Sequence, residues 1–283
     1  MRKIGIICKT GVSEPSEIVK GLLPWLRKKG CTMFVDSETA ALLKIEGTPR
    51  SQIPALADII VVLGGDGTML SVARLVGEKG TPILGVNIGG LGFLTAVHKD
   101  EIYEVLEKVL TEECSVEERI MLTACVIRQS ECIAEYIVVN DVVVNKGALA
   151  RIIDLETYIE HSYVATFKAD GLIVSTPTGS TAYALSAGGP ILYPTLNSIV
   201  LAPICPHTLT NRPIVLPDNM LVEIVLRSRN EDVFLTIDGQ VGFSLRQGDT
   251  IEVKKSPYKA KFFIPCERDY FAILRTKLKW GER

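Results

Sequence analysis

A run of five aliphatic residues at positions 59–63 leads directly into Gly64-Gly65-Asp66-Gly67-Thr68 and then into a helical stretch. A continuous aliphatic run is typical of a strand that is covered on both faces in a parallel sheet. Glycines between a strand and a helix let the backbone approach a ligand closely, and the first N–H groups of the helix bind phosphate. The chain has neither the Gly-Lys of a Walker A loop nor the Gly-x-Gly-x-x-Gly dinucleotide fingerprint. The turn therefore predicts a phosphate-binding loop in a nucleotide-binding α/β fold that uses neither of these two motifs.

Short strand-like runs alternate with longer amphipathic stretches over the first part of the chain. We predict strands at residues 3–8, 31–35, 59–63 and 82–87, and helices at residues 13–29 and 99–110. Ser13 is the predicted N-cap of the first helix. Because βαβ alternation builds a doubly wound open sheet of parallel strands, ligands are expected at the carboxyl ends of these strands.

After about residue 115 the pattern changes to strands separated by turn residues. The predicted strands lie at 121–127, 133–144, 221–226, 233–237 and 250–253, and they indicate a mostly antiparallel β-sandwich. Near the end, Phe271, Leu274 and Leu278 recur at helical spacing, so a terminal helix is expected to return to the first domain. The predicted organisation is an α/β domain at 1–112, a β-sandwich domain at 113–264 and a returning segment at 265–283.

The composition is that of an ordinary globular protein, and it limits the possible partners. Hydrophobic residues make up 47% and charged residues 23% of the 283 residues, which excludes a disordered chain. The 31 Lys and Arg residues against 33 Asp and Glu residues leave a net charge of −2, so no global positive field attracts a nucleic acid. No apolar run approaches the roughly 20 residues of a membrane span. We expect neither a nucleic acid nor a membrane as partner.

Seven cysteines are scattered along the chain without a Cys-x-x-Cys pair or a His at zinc-ligand spacing. Such an odd, dispersed set favours a reduced cytosolic protein with buried structural thiols. The N-terminal apolar stretch is too short for a signal peptide and is interpreted as a first strand. A cytoplasmic location is therefore expected, and no metal ligands are assigned.

Asp66 is the informative residue of the glycine-rich turn. An anion in a phosphate-binding loop repels the ligand unless it binds a metal or accepts a proton, and both roles suit phosphoryl transfer. An aspartate that caps a helix in a glycine-rich turn is equally compatible with this short motif. The turn alone leaves the functional and the structural role open.

Three further stretches carry polar residues next to predicted strands. Residues 87–95 are glycine-rich and face the same end of the sheet as Asp66, although alone they are typical of a simple loop. The pair Asn140-Asp141 interrupts an aliphatic run, where a turn or bulge is the alternative explanation. Residues 168–190 run from an acidic turn through a strand into a hydroxyl-rich loop that contains one tyrosine. Hydroxyls, amides and an aromatic face are the groups that bind a nucleoside.

Taken in order, five motifs resemble the motif series of bacterial NAD kinases. They are residues 64–68, 87–95, 140–141, 170–190 and the Thr-Ile-Asp-Gly-Gln stretch at 236–240. The Gly-Gly-Asp-Gly-Thr motif is shared with diacylglycerol and sphingosine kinases and with phosphofructokinases, whereas the stretch 170–190 is much more specific. The resemblance covers most of the chain. It implies an ATP-dependent kinase that phosphorylates the 2′-hydroxyl of the adenosine ribose of NAD to give NADP.

The resemblance also implies roles for individual residues, with Asp66 matching the catalytic base. The implied NAD contacts are Asp66, Gly67, Asn140, Asp141, Arg151, Lys168, Asp170, Thr181, Ala182, Tyr183, Ala184, Leu185, Ser186 and Gln240, with Phe93 as an additional candidate. The implied phosphate loop comprises Gly64, Gly65, Gly67 and Thr68. Many relatives carry Glu in place of Asp141, a departure that keeps a carboxylate. A divalent metal, expected to be Mg²⁺, is implied to arrive mainly with ATP, and a homo-oligomer, either a dimer or a tetramer, is implied as well.

Two other functions are compatible with parts of the sequence. A lipid kinase of the same superfamily would need an exposed apolar entry surface, whereas the predicted substrate loop is rich in Thr, Ser and Asp. A non-catalytic NADP(H)-binding sensor on the same scaffold would gain nothing from a carboxylate at Asp66 beside phosphates. NAD kinase activity is the leading hypothesis, and the range of phosphoryl donors, the preference for NAD or NADH and inhibition by NADPH stay open.

Overall fold

The computed structural model describes residues 2–95, 97–208, 210–229, 232–265 and 269–281. The chain divides into two units. The first unit comprises Met1–Glu118 and Ala260–Arg283, and the second comprises Arg119–Lys259. The terminal residues therefore belong to the same unit as the first strands. The domain boundaries drawn from the sequence, at residues 112 and 264, stay predictions.

Parallel strands flanked by helices build the first unit. In chain order its elements are β1 (Lys3–Cys8), α1 (Glu14–Lys28), β2 (Thr32–Val35), α2 (Ser37–Leu43), α3 (Ile53–Leu56), β3 (Ile59–Gly64), α4 (Asp66–Val76), β4 (Ile83–Asn87), β5 (Val97–His98) and α5 (Ile102–Leu110). The strand order is β2-β1-β3-β4, and all of these pairs are parallel. The predicted parallel α/β sheet is confirmed.

Burial explains why these segments pair and pack as they do. Every residue of β3 is buried, as expected for a central strand with helices on both faces. In α1, Val19, Leu22 and Leu26 follow helical spacing and are fully buried. Ser13 occupies the predicted N-cap position, but its side chain makes no capping hydrogen bond. Its carbonyl instead accepts hydrogen bonds from the backbone and the hydroxyl of Ser16.

Antiparallel strands build the second unit. After α5 the elements in chain order are β6 (Ser115–Arg128), β7 (Glu131–Val138), β8 (Asp141–Lys146), β9 (Ile153–Ile159), β10 (Ser162–Ala169), β11 (Gly171–Ser175), the short helix α6 (Tyr183–Ser186), β12 (Ser198–Ile204), β13 (Ile214–Pro217), β14 (Val222–Leu226), β15 (Val233–Ile237), β16 (Val241–Leu245) and β17 (Thr250–Ile264). One sheet has the order β13-β12-β11-β8-β15-β16, and another contains β10-β9-β14-β17. Strands of both sheets contribute to one buried core, which includes Val144, Leu155 and Ile224. The predicted β-sandwich is confirmed.

The run predicted as one strand at 133–144 is two strands, and that prediction was wrong. β7 ends at Val138, which pairs with Leu122 in one sheet. β8 starts at Asp141 and pairs with β11 and β15 in the other sheet. Because aliphatic residues continue on both sides of the change of sheet, hydrophobicity alone does not reveal it. The polar pair at 140–141 therefore marks the point where the chain crosses from one layer to the other.

The terminal helix α7 (Tyr270–Leu278) differs in one respect from its predicted packing. Leu274 is buried as expected, and Ile273 is buried beside it. Phe271 lies 53% exposed, so it does not belong to the buried face. The backbone of Phe271 donates a hydrogen bond to the carboxylate of Asp269, which caps the helix. Within the described residues, no helix has the length and apolar character needed to cross a membrane.

Cys125 and Cys132 form a disulfide, so the expectation of a fully reduced chain is wrong for this pair. The hairpin of β6 and β7 brings their Cα atoms to 6.1 Å, within the range that a disulfide spans. Their spacing along the chain has no Cys-x-x-Cys signal, so only the hairpin reveals the pairing. The thiols of Cys8 and Cys31 are buried, Cys114 is half-buried, Cys205 is exposed, and Cys266 lies outside the described residues.

Candidate active site

Three parallel strands of the first unit end side by side. Cys8 of β1 pairs with Leu63 of β3, and Gly64 pairs with Asn87 of β4. Since the carboxyl ends of parallel strands meet at one edge, the segments that follow them converge there. A cavity of about 350 Å³ opens at this edge. It is lined by Lys9, Val12, Glu14, Gly64, Gly65, Asp66, Asn87, Ile88, Gly89, Gly90, Gly92 and Lys277.

Asp66 is the first residue of α4, and the glycine-rich loop after β4 holds its carboxylate. Its Oδ1 atom accepts hydrogen bonds from the backbone of Leu94 at 3.0 Å and of Thr95 at 3.1 Å, and from the Thr95 hydroxyl at 3.2 Å. Among the described residues, its Oδ2 atom accepts a hydrogen bond from the backbone of Phe93 at 2.8 Å. A carboxylate has about four acceptor positions, two on each oxygen. The Oδ2 atom therefore keeps an acceptor position for a substrate hydroxyl.

The loop reaches Asp66 this closely because residue 92 is a glycine. A Cβ atom at Gly92 would lie 2.1 Å from Asp66 Oδ1 and 2.3 Å from Thr95 Oγ1, which no side chain tolerates. Asn87 shapes the same loop: its amide nitrogen donates to the Gly90 carbonyl and to Thr95 Oγ1, each at 2.7 Å. The stretch that looks like a simple loop in the sequence is therefore the structure that orients Asp66.

The helix-capping alternative for Asp66 does not describe this structure. Gly65 occupies the N-cap position of α4, and no side chain caps the helix. The hydrogen bonds of the Asp66 carboxylate go instead to residues 27 to 29 positions further along the chain. Of the other predicted phosphate-loop residues, Gly64 and Gly65 line the cavity, while Gly67 and Thr68 lie in the first turn of α4.

A second cavity, of about 330 Å³, lies in the second unit where β7 ends and β8 begins. It is lined by Asn140, Asp141, Val143, Asn145, Ala182, Tyr183, Thr236, Asp238 and Gly239. The Oδ1 atom of Asn140 is buried and has no hydrogen-bond partner among the described residues. Buried acceptors without partners are uncommon in folded proteins. Asn140 therefore lines the cavity and carries an acceptor that the described protein groups leave unfilled.

Asp141 is a buried carboxyl in the wall of this cavity. Burial, together with the negative charge of nearby Asp238, raises its pKa to about 7. A backbone hydrogen bond from Tyr183 to the carboxylate acts against this rise. The charge of the cavity therefore changes within the neutral pH range.

Asp238 holds the turn that carries Asn140 and Asp141. Its carboxylate accepts hydrogen bonds from the backbone of Val139 at 3.2 Å, of Asn140 at 2.7 Å and of Asp141 at 3.1 Å. Asp238 is itself buried and has a positive φ of 49°. The sequence-based site missed this residue and named its neighbour Gln240. The Asp-Gly pair signalled a turn, but no signal placed that turn beside residues about a hundred positions earlier.

The hydroxyl-rich loop packs against the same turn. The Thr176 hydroxyl donates to the Val139 carbonyl at 2.6 Å, and a Cβ atom at Gly179 would lie 2.3 Å from the Asn140 carbonyl oxygen. Among the predicted adenosine-pocket residues, Ala182 and Tyr183 line the cavity, with Tyr183 46% exposed. Thr181, Ala184, Leu185 and Ser186 do not line it.

Four other predicted contacts lie outside both cavities. The Lys168 amine lies 3.8 Å from the Asp154 carboxylate, and the Asp170 carboxylate lies 3.7 Å from the Lys146 amine. Arg151 and Gln240 are exposed, in a loop and in a turn. The structure therefore brings together Asn140, Asp141, Ala182 and Tyr183, but not these four.

Comparison with known proteins gives a consistent result over the whole chain. Residues 4–114 match the family described as ATP-NAD kinase N-terminal domain, and residues 139–264 match the ATP-NAD kinase C-terminal domain. The chain is 51% identical to the NAD kinase of Geobacter sulfurreducens and 52% identical to that of Geotalea daltonii, with all of each chain covered. Among solved structures it is similar to yeast NADH kinase complexed with NADH, with a TM-score of 0.93 and 26% identity over 100% of this chain and 89% of that chain. An Archaeoglobus fulgidus NAD kinase in complex with ATP gives a TM-score of 0.79 and 25% identity over 98% of both chains.

Proposed function

The chain belongs to the NAD kinase family and catalyses the ATP-dependent phosphorylation of NAD to NADP, and we propose that Asp66 is its general base. One observation carries this proposal. The loop at 92–95 fixes the Asp66 carboxylate beside a cavity and leaves one acceptor position on its Oδ2 atom. A general base needs this combination of fixed orientation and hydrogen-bonding capacity.

In the proposed step the phosphoryl group passes directly between the two substrates, and Asp66 takes the proton. The 2′-oxygen of the adenosine ribose attacks the γ-phosphorus of ATP, and the bond from that phosphorus to the β,γ-bridging oxygen breaks. ADP leaves with the electron pair, and the hydroxyl proton passes to Oδ2 of Asp66. A ribose hydroxyl is a weak nucleophile, so a carboxylate within hydrogen-bond reach lowers the barrier as the new bond forms.

We propose that the cavity at Asn140 binds NAD, since the unpaired Oδ1 atom of Asn140 suits a donor on the nucleoside. Asp141 and Tyr183 are proposed to contact the same molecule. The remaining proposed NAD contacts are Gly67, Phe93, Arg151, Lys168, Asp170, Thr181, Ala182, Ala184, Leu185, Ser186 and Gln240. Solved relatives complexed with NADH and with ATP support the two substrates.

NAD kinases, as ATP-dependent enzymes, generally use a divalent metal. In the part of the chain that the structure describes, no three His, Cys, Asp or Glu side chains are grouped as a metal site. The Asp66 carboxylate is already hydrogen-bonded by the loop at 92–95. This donor set fits a metal held mainly by ATP phosphate oxygens and water, and we propose Mg²⁺ in that role. When bound, the ion would neutralise phosphate charge.

A cytoplasmic location and a homo-oligomer, either a dimer or a tetramer, are part of the proposal. The second unit exposes apolar side chains that a second copy of the chain would cover: Leu149 is fully exposed, and Tyr163 is 60% exposed. Sedimentation velocity at micromolar concentration measures the assembly. A single monomeric species would contradict the oligomer.

The test of the proposed function is an acceptor assay with ATP and Mg²⁺. The wild type is expected to phosphorylate NAD and not diacylglycerol. Asp66→Asn is expected to lower kcat by at least about 100-fold. Asp100→Asn is the matched control, because the Asp100 side chain is 78% exposed on the same unit, pairs with His98 and lines neither cavity. Tight NADP(H) binding without turnover of any acceptor would indicate a sensor instead.

A further inference from the structure

Two lysines line the first cavity from opposite ends of the chain. Lys9 directly follows β1, and its backbone donates a hydrogen bond to the Leu63 carbonyl at 2.8 Å, which places it at the end of β3. Lys277 lies in the last turn of α7. Both line the cavity together with Gly64 and Gly65. Neither lysine is among the residues that the sequence motifs single out.

The charge of this cavity is unbalanced towards the positive. Of its two acidic residues, Glu14 forms an ion pair with Lys99 at 2.6 Å, whereas Asp66 accepts hydrogen bonds from the loop at 92–95 and keeps its negative charge. Among the described residues, no carboxylate lies within 4.0 Å of the amine of Lys9 or of Lys277. An anion in the cavity would therefore meet two ammonium groups against the single negative charge of Asp66, since Glu14 is paired with Lys99.

The backbone of Gly65 is open to this space. Its φ of −115° and ψ of −172° are extended values that any residue adopts, so backbone conformation does not require a glycine here. A Cβ atom at Gly65 would meet no protein atom within 4 Å, whereas one at Gly64 would lie 2.5 Å from Thr68 Oγ1. Packing explains the glycine at 64 but not the one at 65. The open face of Gly65 lies at the start of α4, where N–H groups favour anions.

We propose that Lys9 and Lys277 bind the phosphates of the phosphoryl donor over the open backbone of Gly65. This inference rests on the proposed function and names the donor subsite beside Asp66. A triphosphate carries several negative charges, and lysine binds phosphate as a mobile point charge. The groups that line the subsite, two ammonium groups and the open backbone of Gly65, suit phosphate rather than a base. Inorganic tripolyphosphate should therefore compete with ATP for it.

The kinetic test uses Lys9→Met, Lys277→Met and the double variant in the full-length enzyme. Each single variant is expected to raise the KM for ATP by about tenfold, since charge-assisted hydrogen bonds to phosphate are lost. The KM for NAD is expected to stay within about twofold. Lys277→Arg should restore part of the ATP affinity. Lys279→Met is the matched control, because Lys279 is exposed at the end of the same helix and lies outside the cavity.

A binding test separates this inference from the proposed function. Calorimetry without NAD measures the affinity of wild type for the β,γ-imido analogue of ATP and for tripolyphosphate. Both are expected to bind, and both should lose at least about tenfold in affinity in the double variant. Gly65→Ala should fold with an unchanged Tm and also bind the analogue more weakly. Wild type that binds the analogue but forms no NADP would overturn the proposed function and leave the lysine subsite intact.

Two results would overturn the lysine subsite itself. One is an unchanged KM for ATP in a double variant that retains the wild-type Tm. The other is a rise in the KM for NAD with no change for ATP, which would place the acceptor rather than the donor beside these lysines.

Discussion

Asp66 and Asp141 are the same side chain in contrasting surroundings, one in each unit. Backbone N–H groups of a single loop surround the partly exposed Asp66 carboxylate and fix its direction. Asp141 is buried beside a second carboxylate, Asp238, and burial raises its pKa to about 7. Local donors thus make one aspartate a fixed acceptor, whereas burial near a like charge makes the other sensitive to pH. Substitutions around Asp66 should therefore act on kcat, whereas substitutions around Asp141 should act on stability and its pH dependence.

Among changes to the surroundings of the two aspartates, Gly92→Ala should have the largest effect, because it acts on the loop that holds Asp66. The new methyl group would lie 2.1 Å from Asp66 Oδ1, so the loop must move and release the carboxylate. A displacement of about 1 Å costs on the order of 100-fold in kcat. Steady-state kinetics measures this loss. Gly242→Ala is the control, since a methyl group there meets no atom within 4 Å and lies outside both cavities. Equal kcat values for the two variants would contradict the role of the loop.

Asp238→Ala should have the next largest effect, on the surroundings of Asp141. It removes the acceptor for the backbone N–H groups of residues 139–141 in a buried turn. Buried donors without partners cost about 1–3 kcal/mol, so we expect the free energy of unfolding to fall by about 2 kcal/mol and the KM for NAD to rise. Urea unfolding measures the first effect. Asp238→Asn keeps one acceptor oxygen and should recover part of both losses. An Asp238→Ala variant with wild-type stability and a wild-type KM for NAD would show that the turn does not depend on the Asp238 carboxylate.

The pH dependence of stability should give the smallest effect. Since the pKa of Asp141 is higher in the folded than in the unfolded state, the folded protein binds the extra proton and is stabilised at low pH. This contribution is lost as pH rises through 7. Between pH 6 and 8 the wild type should lose about 1.4 kcal/mol relative to Asp141→Asn, the value of one pKa unit. Urea unfolding at several pH values measures the difference. Parallel pH profiles of the two proteins would place the folded-state pKa of Asp141 below this range and contradict the prediction.

The sequence predicted those parts of the fold and site that depend on local pattern. The aliphatic run of β3 and the glycines after it specify a buried strand and a turn within ten residues. Asp66 could be selected because a carboxylate at such a turn is chemically unexpected. The polar pair at 140–141 stood out for the same reason, in the middle of an aliphatic stretch.

Contacts between distant residues could not be predicted in this way. The loop that orients Asp66 follows the next strand, and Asp238 lies about a hundred residues after the turn that it holds. Lys277 reaches the first cavity only because the last helix belongs to the first unit. The change of sheet at 139–140 and the Cys125–Cys132 disulfide were hidden because strand pairing, rather than composition, determines them.

The central claim is that Asp66 accepts the proton during phosphoryl transfer, and a single-turnover measurement tests it most directly. Rapid-quench rates of NADP formation at saturating NAD, ATP and Mg²⁺ are compared for wild type, Asp66→Asn and Asp141→Asn, with NAD affinity measured separately. We expect Asp66→Asn to lower the rate by about 1,000-fold with NAD affinity unchanged, and Asp141→Asn to act mainly on NAD affinity. An Asp66→Asn variant that retains the wild-type rate of phosphoryl transfer would contradict the account.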